Sequence, residues 1–299
     1  MAAISLIEAE QAKHYVHLTF PALRFPLLEP EGKDLAIAVA HDSEGTAVGM
    51  AYGWGGPRQT FELMSIYITP LFRRQGIGTR LLSTVEAELV SKDYSLGVHN
   101  YTLPIEDQGF ASFLMEQGWT RPRVRQLICK GTLEGFCSTP WFRAHTPKGF
   151  ELKAWAELSE EERSGINERS ALEENWFAED QDPFVYEIDC HVLTSVALLK
   201  DGVVVGWVLT HLPDEAESLR WTVSFVAPEL ARKGHIVHLW QEAARRQKEA
   251  TDLKYLTWGV PLSHPRMLDF VKRRMGQHLL SSSYACTSLK SLTDGSNLS

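Results

Sequence analysis

Within 299 residues, the hexad Arg73-Arg74-Gln75-Gly76-Ile77-Gly78 has the residue types and spacing to do chemistry. It follows an apolar, β-branched run ending at a proline, Ser65-Ile66-Tyr67-Ile68-Thr69-Pro70. It precedes Leu81, Leu82, Val85 and Leu89, which are spaced as one face of a helix. The order is strand, turn, helix. Glycine carries no Cβ, so consecutive backbone N–H groups can converge on one anion. A helix starting near Ile77 adds the positive end of its dipole, and the two arginines add charge. A diphosphate is the expected occupant. Glycine turns before helices are common, so the weight rests on the flanking pattern.

The elements that must position this turn occur twice. Ala47-Val-Gly-Met-Ala-Tyr52 and Val204-Val-Gly-Trp-Val208 each follow a polar turn, with Gly49 and Gly206 157 residues apart. Two apolar strands end at Pro70 and Pro228, 158 apart, and two helix-like segments end at Gly118 and Gly276, again 158 apart. A duplication is the simplest account. Strands are expected over 35–41, 46–52, 60–69, 96–101 and 124–129 in the first half, and over 192–199, 203–209, 219–226 and 255–260 in the second. Helices are expected around 81–89, 105–117, 237–248 and 265–275, and Ser159-Glu-Glu-Glu162 has the capping-box pattern that starts another. The fold class is α/β: a mixed, largely antiparallel sheet flanked by helices, in two tandem domains. The expected boundaries are a first domain over 1–135, a Gly, Pro, Ser and Thr-rich linker over 136–148, and a second domain over 149–299 whose last residues, 288–299, form a frayed tail.

Composition narrows the function. With 44% apolar and 10% aromatic residues each half can bury a core, and the net charge of −8 disfavours a phosphate-tracking nucleic-acid surface while suiting a cationic acceptor. The four cysteines, Cys129, Cys137, Cys190 and Cys286, form no CxxC pair, and no stretch has the length of a membrane span. A cytoplasmic protein with reduced cysteines is expected. His235 and His238 are three apart without a third ligand, so no metal site is expected.

On these residues the sequence resembles the GNAT superfamily of acyl-CoA-dependent N-acyltransferases. Arg73-x-x-Gly76-x-Gly78 matches its pyrophosphate motif, [Gln/Arg]-x-x-Gly-x-[Gly/Ala], and the flanking strand and Leu81-Leu82 sit where that family has them. The resemblance implies acyl-CoA as co-substrate, a splayed sheet, and a diphosphate held by Arg73, Arg74, Gln75, Gly76, Ile77, Gly78 and Thr79. Backbone groups of Ser65, Ile66, Tyr67 and Ile68 would bind the pantetheine arm, one N–H polarising the thioester carbonyl. Glu62, on the same strand, becomes the candidate base. The family's usual acid is a tyrosine four residues before the glycine at Gly118, but that position is Leu114. Tyr67, His99 and Tyr101 lie on the strands flanking the expected thioester, and Tyr101 is the preferred acid. Tyr52 and Trp54, at the end of the third strand, are the candidate acceptor contacts.

The second half departs from the motif: Ala231 stands for Arg73, Ile236 for Gly78 and Arg220 for Glu62. It reads as a degenerate copy beside an active first half. The tandem architecture resembles mycothiol synthase, in whose family the second half is catalytic. The leading expectation is transfer of an acyl group, acetyl by family precedent, to a primary amine of a small molecule or peptide. Two rivals are kept: fatty acylation of a Lys or ornithine side chain of a ribosomal peptide, and a CoA-binding regulatory or scaffold protein without turnover.

Overall fold

The computed structural model describes residues 2–29, 32–105, 108–143, 148–173, 176–213 and 217–292. Its strands, in chain order, are β1 (Ala3–Ile7), β2 (Leu35–His41), β3 (Ala47–Gly55), β4 (Thr60–Ile68), β5 (Leu96–Pro104), β6 (Arg123–Thr132), β7 (Phe150–Ala154), β8 (Val196–Lys200), β9 (Val203–His211), β10 (Ser218–Val226), β11 (Tyr255–Pro261) and β12 (Leu279–Ser291). The helices are α1 (Arg24–Leu28), α2 (Ile77–Ser91), α3 (Gly109–Glu116), α4 (Leu133–Cys137), α5 (Glu160–Leu172), α6 (Pro183–Tyr186), α7 (Ile236–Ala250) and α8 (Pro265–Phe270). Among the described residues no helix is long and apolar enough to cross a membrane.

The chain divides into two compact units, residues 1–125 with 283–299, and residues 126–282. In the first, β1, β2, β3 and β4 are successive antiparallel neighbours, β5 joins β4 in parallel, and β12 closes the far edge antiparallel to β5. Strand β2 is buried on both faces, which explains its unbroken apolar sequence. Its alanines, Ala36, Ala38 and Ala40, face the stripe of Ile77, Leu81, Leu82, Val85 and Leu89 on α2. Ile37 and Val39 point the other way, against Ala12, Leu18 and Leu27 from the N-terminal turns and α1. Each fully buried Leu or Val in these layers contributes roughly 1.5–3 kcal/mol.

The second unit repeats the plan. Strands β7, β8, β9 and β10 are antiparallel neighbours, β11 joins β10 in parallel, and the closing strand is β6, antiparallel to β11 from Gln126 to Thr132. Each sheet is therefore completed by the closing strand of the other half of the sequence. The duplication is visible in atomic contacts. A Cβ built on Gly49 would meet Tyr67 O at 3.0 Å and Leu81 Cδ1 at 3.2 Å. On Gly206 it would meet Phe225 O at 2.8 Å and Leu239 Cδ1 at 3.1 Å.

Most expected elements form, and the capping box is present, with Glu162 N–H donating to Ser159 Oγ and Ser159 N–H to Glu162 Oε2. The compact units break at Arg125/Gln126 and Ser282/Ser283 rather than at 135 and 149, because β6 and β12 pair away from their own halves. The segment read as a linker holds the end of α4 and a 3-10 turn, Pro140–Arg143, while residues 144–147 lie outside the described residues. The tail expected to fray from 288 is strand through Ser291, and residues 293–299 lie outside the described residues. The helix expected over 105–117 begins at Gly109, residues 106 and 107 being outside the description. The helix expected over 265–275 changes to a π turn at Val271–Met275.

Candidate active site

The anion turn has the geometry its composition suggests. Gly76 sits at φ 74°, the left-handed region open to glycine at little cost, and caps α2. Among the described residues none accepts a hydrogen bond from the backbone N–H groups of residues 74–79, whereas Arg80 N–H already bonds Gly76 O at 3.3 Å. Those donors, the exposed start of a 15-residue helix, form a positive concavity. Arg74 is exposed, with no ion pair among the described residues. Arg73 is held differently: its Nε donates to Ile68 O at 2.9 Å and its guanidinium carbon lies 5.9 Å from the Tyr67 ring centroid. Gln75 Nε2 donates to Leu71 O, and Thr79 is exposed. Gly78 serves another need, since a Cβ there would come within 3.1 Å of Ile68 Cδ1 and 3.4 Å of Phe113. It lets α2 pack closely against β4 and α3.

Strands β4 and β5 pair only at Thr60↔Leu96, Phe61↔Gly97 and Glu62↔Val98, and beyond Glu62 they part. Among the described residues the β5-facing edge of residues 63–68 has no strand partner. The Ser65 side chain is committed elsewhere, accepting from Thr19 Oγ1 at 2.8 Å, so that residue offers its backbone. Ile66 and Ile68 pack toward the α2 cluster and Tyr67 toward the N-terminal one. Glu62, the last paired residue, accepts from Asn100 Nδ2 at 2.9 Å, and Asn100 Oδ1 accepts from Thr287 Oγ1 at 2.7 Å. Across the β3 pairing Glu62 is opposite Trp54, whose ring carries the Lys33 ammonium 3.7 Å from its centroid. Tyr52 is fully buried and its hydroxyl donates to Leu23 O at 2.7 Å. Burial, and then the nearby Glu62 charge, push its phenol above its ordinary value. Tyr52 thus ties β3 to the segment over it.

On the opposite face of β5, His99 closes the base of the splay. Its Nδ1 lies 2.5 Å from Leu63 O, and since a carbonyl only accepts, Nδ1 carries the proton. Burial lowers its pKa from 6.5 to about 4, so the ring is neutral at pH 7 and has no cationic proton to give a leaving thiolate. Tyr101 stacks on His99 at 4.9 Å, meets Phe110 edge-on, and shares a 3.1 Å hydrogen bond with Ser288 Oγ. Burial raises its phenol above the ordinary value, keeping it in the donor form. Leu114, where the family's tyrosine was expected, is fully buried in the helix-side core. Because the unfolded chain protonates His99 near 6.5 and the folded chain only near 4, stability is fully present above pH 6.5. It falls as the pH drops toward 4, by about 3 kcal/mol in total. Urea unfolding at pH 7 and pH 4.5 should show this acid loss in the native chain, and a correspondingly smaller one in His99→Gln.

The equivalent turn of the second unit keeps Gly234 at φ 75°, but part of its donor set is spent, with Lys233 N–H bonded to Leu230 O at 2.9 Å. Val237 N–H bonds Gly234 O and His238 N–H bonds His235 O, at 3.0 and 3.1 Å, and Phe150 stacks on His235 at 4.4 Å. The parallel pairing aligns Ser218↔Tyr255 as Thr60↔Leu96, which puts Arg220 where the first unit has Glu62.

Comparison with known proteins agrees with the repeated plan. The model of the Acetyltransferase (GNAT) family matches residues 4–104 and again residues 152–277. Among solved structures, the chain is similar to a tandem GNAT protein from the clavulanic acid biosynthesis pathway, with a TM-score of 0.67 and 12% identity over 99% of this chain and 100% of that one. It is also similar to a GCN5-related N-acetyltransferase from Sphaerobacter thermophilus, with a TM-score of 0.62 and 16% identity over 99% and 98% of the two chains. At such identities the likeness is one of fold. No curated protein sequence matches the chain. The two family matches, the repeated splayed sheet and the glycine turn together establish that the chain belongs to the GNAT family of acyl-CoA-dependent acyltransferases, in tandem form.

Proposed function

We propose that the first unit transfers an acyl group from acyl-CoA to a primary amine by direct attack on the thioester. The observation that carries this reading is the contrast between the two turns. Among the described residues the first turn leaves every N–H over 74–79 without a partner, whereas the second, with the same left-handed glycine, spends Lys233 N–H and Val237 N–H and carries Ile236 in place of Gly78. The donors of the first turn suit a diphosphate, so the residues present fit the co-substrate of the family. Arg73, Arg74, Gln75, Gly76, Ile77, Gly78 and Thr79 hold its phosphates, and the open backbone edge of Ser65, Ile66, Tyr67 and Ile68 holds the pantetheine arm. When bound, the co-substrate supplies the activated acyl carbon.

Glu62 then takes a proton from the acceptor ammonium and frees the amine to attack, with Asn100 fixing the carboxylate, and a backbone N–H of the open edge steadies the charge that builds on the acyl oxygen. Tyr101, on the other face of the splay, gives its proton to the sulfur as the C–S bond breaks, and the second proton lost by the nitrogen on becoming an amide restores the phenol through solvent. The acceptor is an alkylammonium received on Trp54, where Lys33 now lies as an internal stand-in, with Tyr52 supporting that wall from the core. The family description favours acetyl as the acyl group, and a panel from acetyl- to palmitoyl-CoA reads its length directly.

Arg74→Glu is the cleanest test, because the side chain is exposed and has no ion pair among the described residues, so the fold does not depend on it. CoA affinity by calorimetry should fall at least ~10-fold, as expected when a charged hydrogen bond to phosphate is replaced by repulsion. Unchanged affinity with an unchanged melting temperature removes the diphosphate assignment.

A further inference from the structure

In the second unit β10 and β11 stay paired through Trp221↔Trp258 and then part, and the opening contains a cavity of about 650 Å³. That is within the roughly 300–1,000 Å³ of small-molecule sites. Its walls are aromatic, built from Trp176, Trp221, Phe225, Trp240 and Trp258. The Trp240 indole N–H is committed to Ser224 Oγ at 3.1 Å. Those of Trp176 and Trp221, on side chains 3% and 4% exposed, are buried without an acceptor among the described residues. A buried donor left unpaired is costly, and a ligand oxygen removes the cost. Arg220 also lines the cavity, is exposed, and forms no ion pair among the described residues. It occupies the position at which the first unit presents a carboxylate, so the sign of the charge offered to a ligand is inverted. The helix start has meanwhile spent the Val237 and His238 donors on its own turn.

We propose that this cavity is a second ligand site, distinct from the donor site of the first unit, and that its ligand is an aryl-alkyl carboxylate. The carboxylate is held by Arg220, the indole N–H groups of Trp176 and Trp221 donate to ligand oxygens, and the apolar body lies between the aromatic rings. This inference does not depend on the catalytic roles assigned to the first unit.

The test uses the full chain and three probes of one shape, 4-phenylbutyrate, 4-phenylbutanol and 4-phenylbutylamine, by calorimetry and by the ¹⁵N–¹H signals of the tryptophan indoles. The carboxylate should bind saturably at one site per chain, shift the signal that Trp221→Phe removes, and outcompete the alcohol and the amine. Arg220→Gln should weaken it about tenfold or more, the usual worth of a charged hydrogen bond, with the melting temperature unchanged. Trp221→Phe keeps an aromatic ring, though a smaller one, and deletes the donor, and should weaken binding about threefold or more. Equal affinity for the three probes, affinity unaltered in both variants, or no binding at all overturns the proposal. So does a shift of the Trp221 indole by CoA but not by the carboxylate.

Discussion

A chain ending at Ser282 should lose the fold of its first unit, although it keeps every residue of the sequence-drawn first domain. Strand β12 pairs with β5 from Ser283↔Pro104 to Ser291↔Leu96, and Cys286 and Ser288 within it are fully buried. Removing it exposes the β5 edge, unpairs Asn100 from Thr287 and Tyr101 from Ser288, and deletes Lys290. Lys290 Nζ lies 2.7 Å from Glu86 Oε2, while Glu86 Oε1 accepts from Trp119 Nε1 at 3.0 Å, so the carboxylate sits in a largely buried setting. Losing the cation alone leaves that charge without its partner, which costs about 3–5 kcal/mol in comparable sites. Lys290→Met in the full chain should therefore lower the unfolding free energy of the first unit by about 3 kcal/mol, a large share of what a domain has. Hydrogen exchange would read both variants: amides of β4 and β5 should lose protection while those of β8 and β9 keep it. Full protection of β5 in the shortened chain would show that β12 is dispensable.

That expectation rests on the feature least visible in the sequence. The alternation in β6, exposed at Arg123 and Arg125 and buried at Leu127 and Cys129, announces a strand with one covered face. It carries no information about which edge that strand joins, because backbone ladder bonds do not depend on side-chain identity. The exchange of β6 and β12 is a long-range choice of that kind. What was legible was local or repeated. Gly49 and Gly206 mark one close approach of strand and helix in two copies, and Gly76 is needed because its φ is positive. The fate of Tyr52 was hidden for another reason. Its neighbours on the covered side, Leu18 and Leu27, belong to short turns without periodicity, so nothing local marked this candidate acceptor contact as a core residue. The cavity of the second unit was hidden too, its tryptophans at 176, 221, 240 and 258 being scattered along the sequence and gathered only by the splay of β10 and β11.

The largest kinetic effect is expected from Glu62→Gln. The amide keeps the shape and the contact with Asn100 but takes up no proton, so kcat should fall about 10²–10³-fold, the usual worth of a positioned base. The KM for acyl-CoA should change little, because the donor handle proposed above, residues 74–79, is separate from Glu62. A kcat within a factor of about three of the parent would assign proton removal elsewhere. Asn100→Ala separates holding from doing. It leaves the carboxylate and removes its 2.9 Å partner, so kcat should drop about 3–10-fold, far less than in Glu62→Gln, with the KM for acyl-CoA unchanged. Thr287→Val, one step further along the same chain of hydrogen bonds, should show a weaker version of the Asn100 effect. If it does, the strand that closes the first sheet from the far end of the sequence also orients the base, and the exchange of strands has a catalytic consequence as well as a structural one.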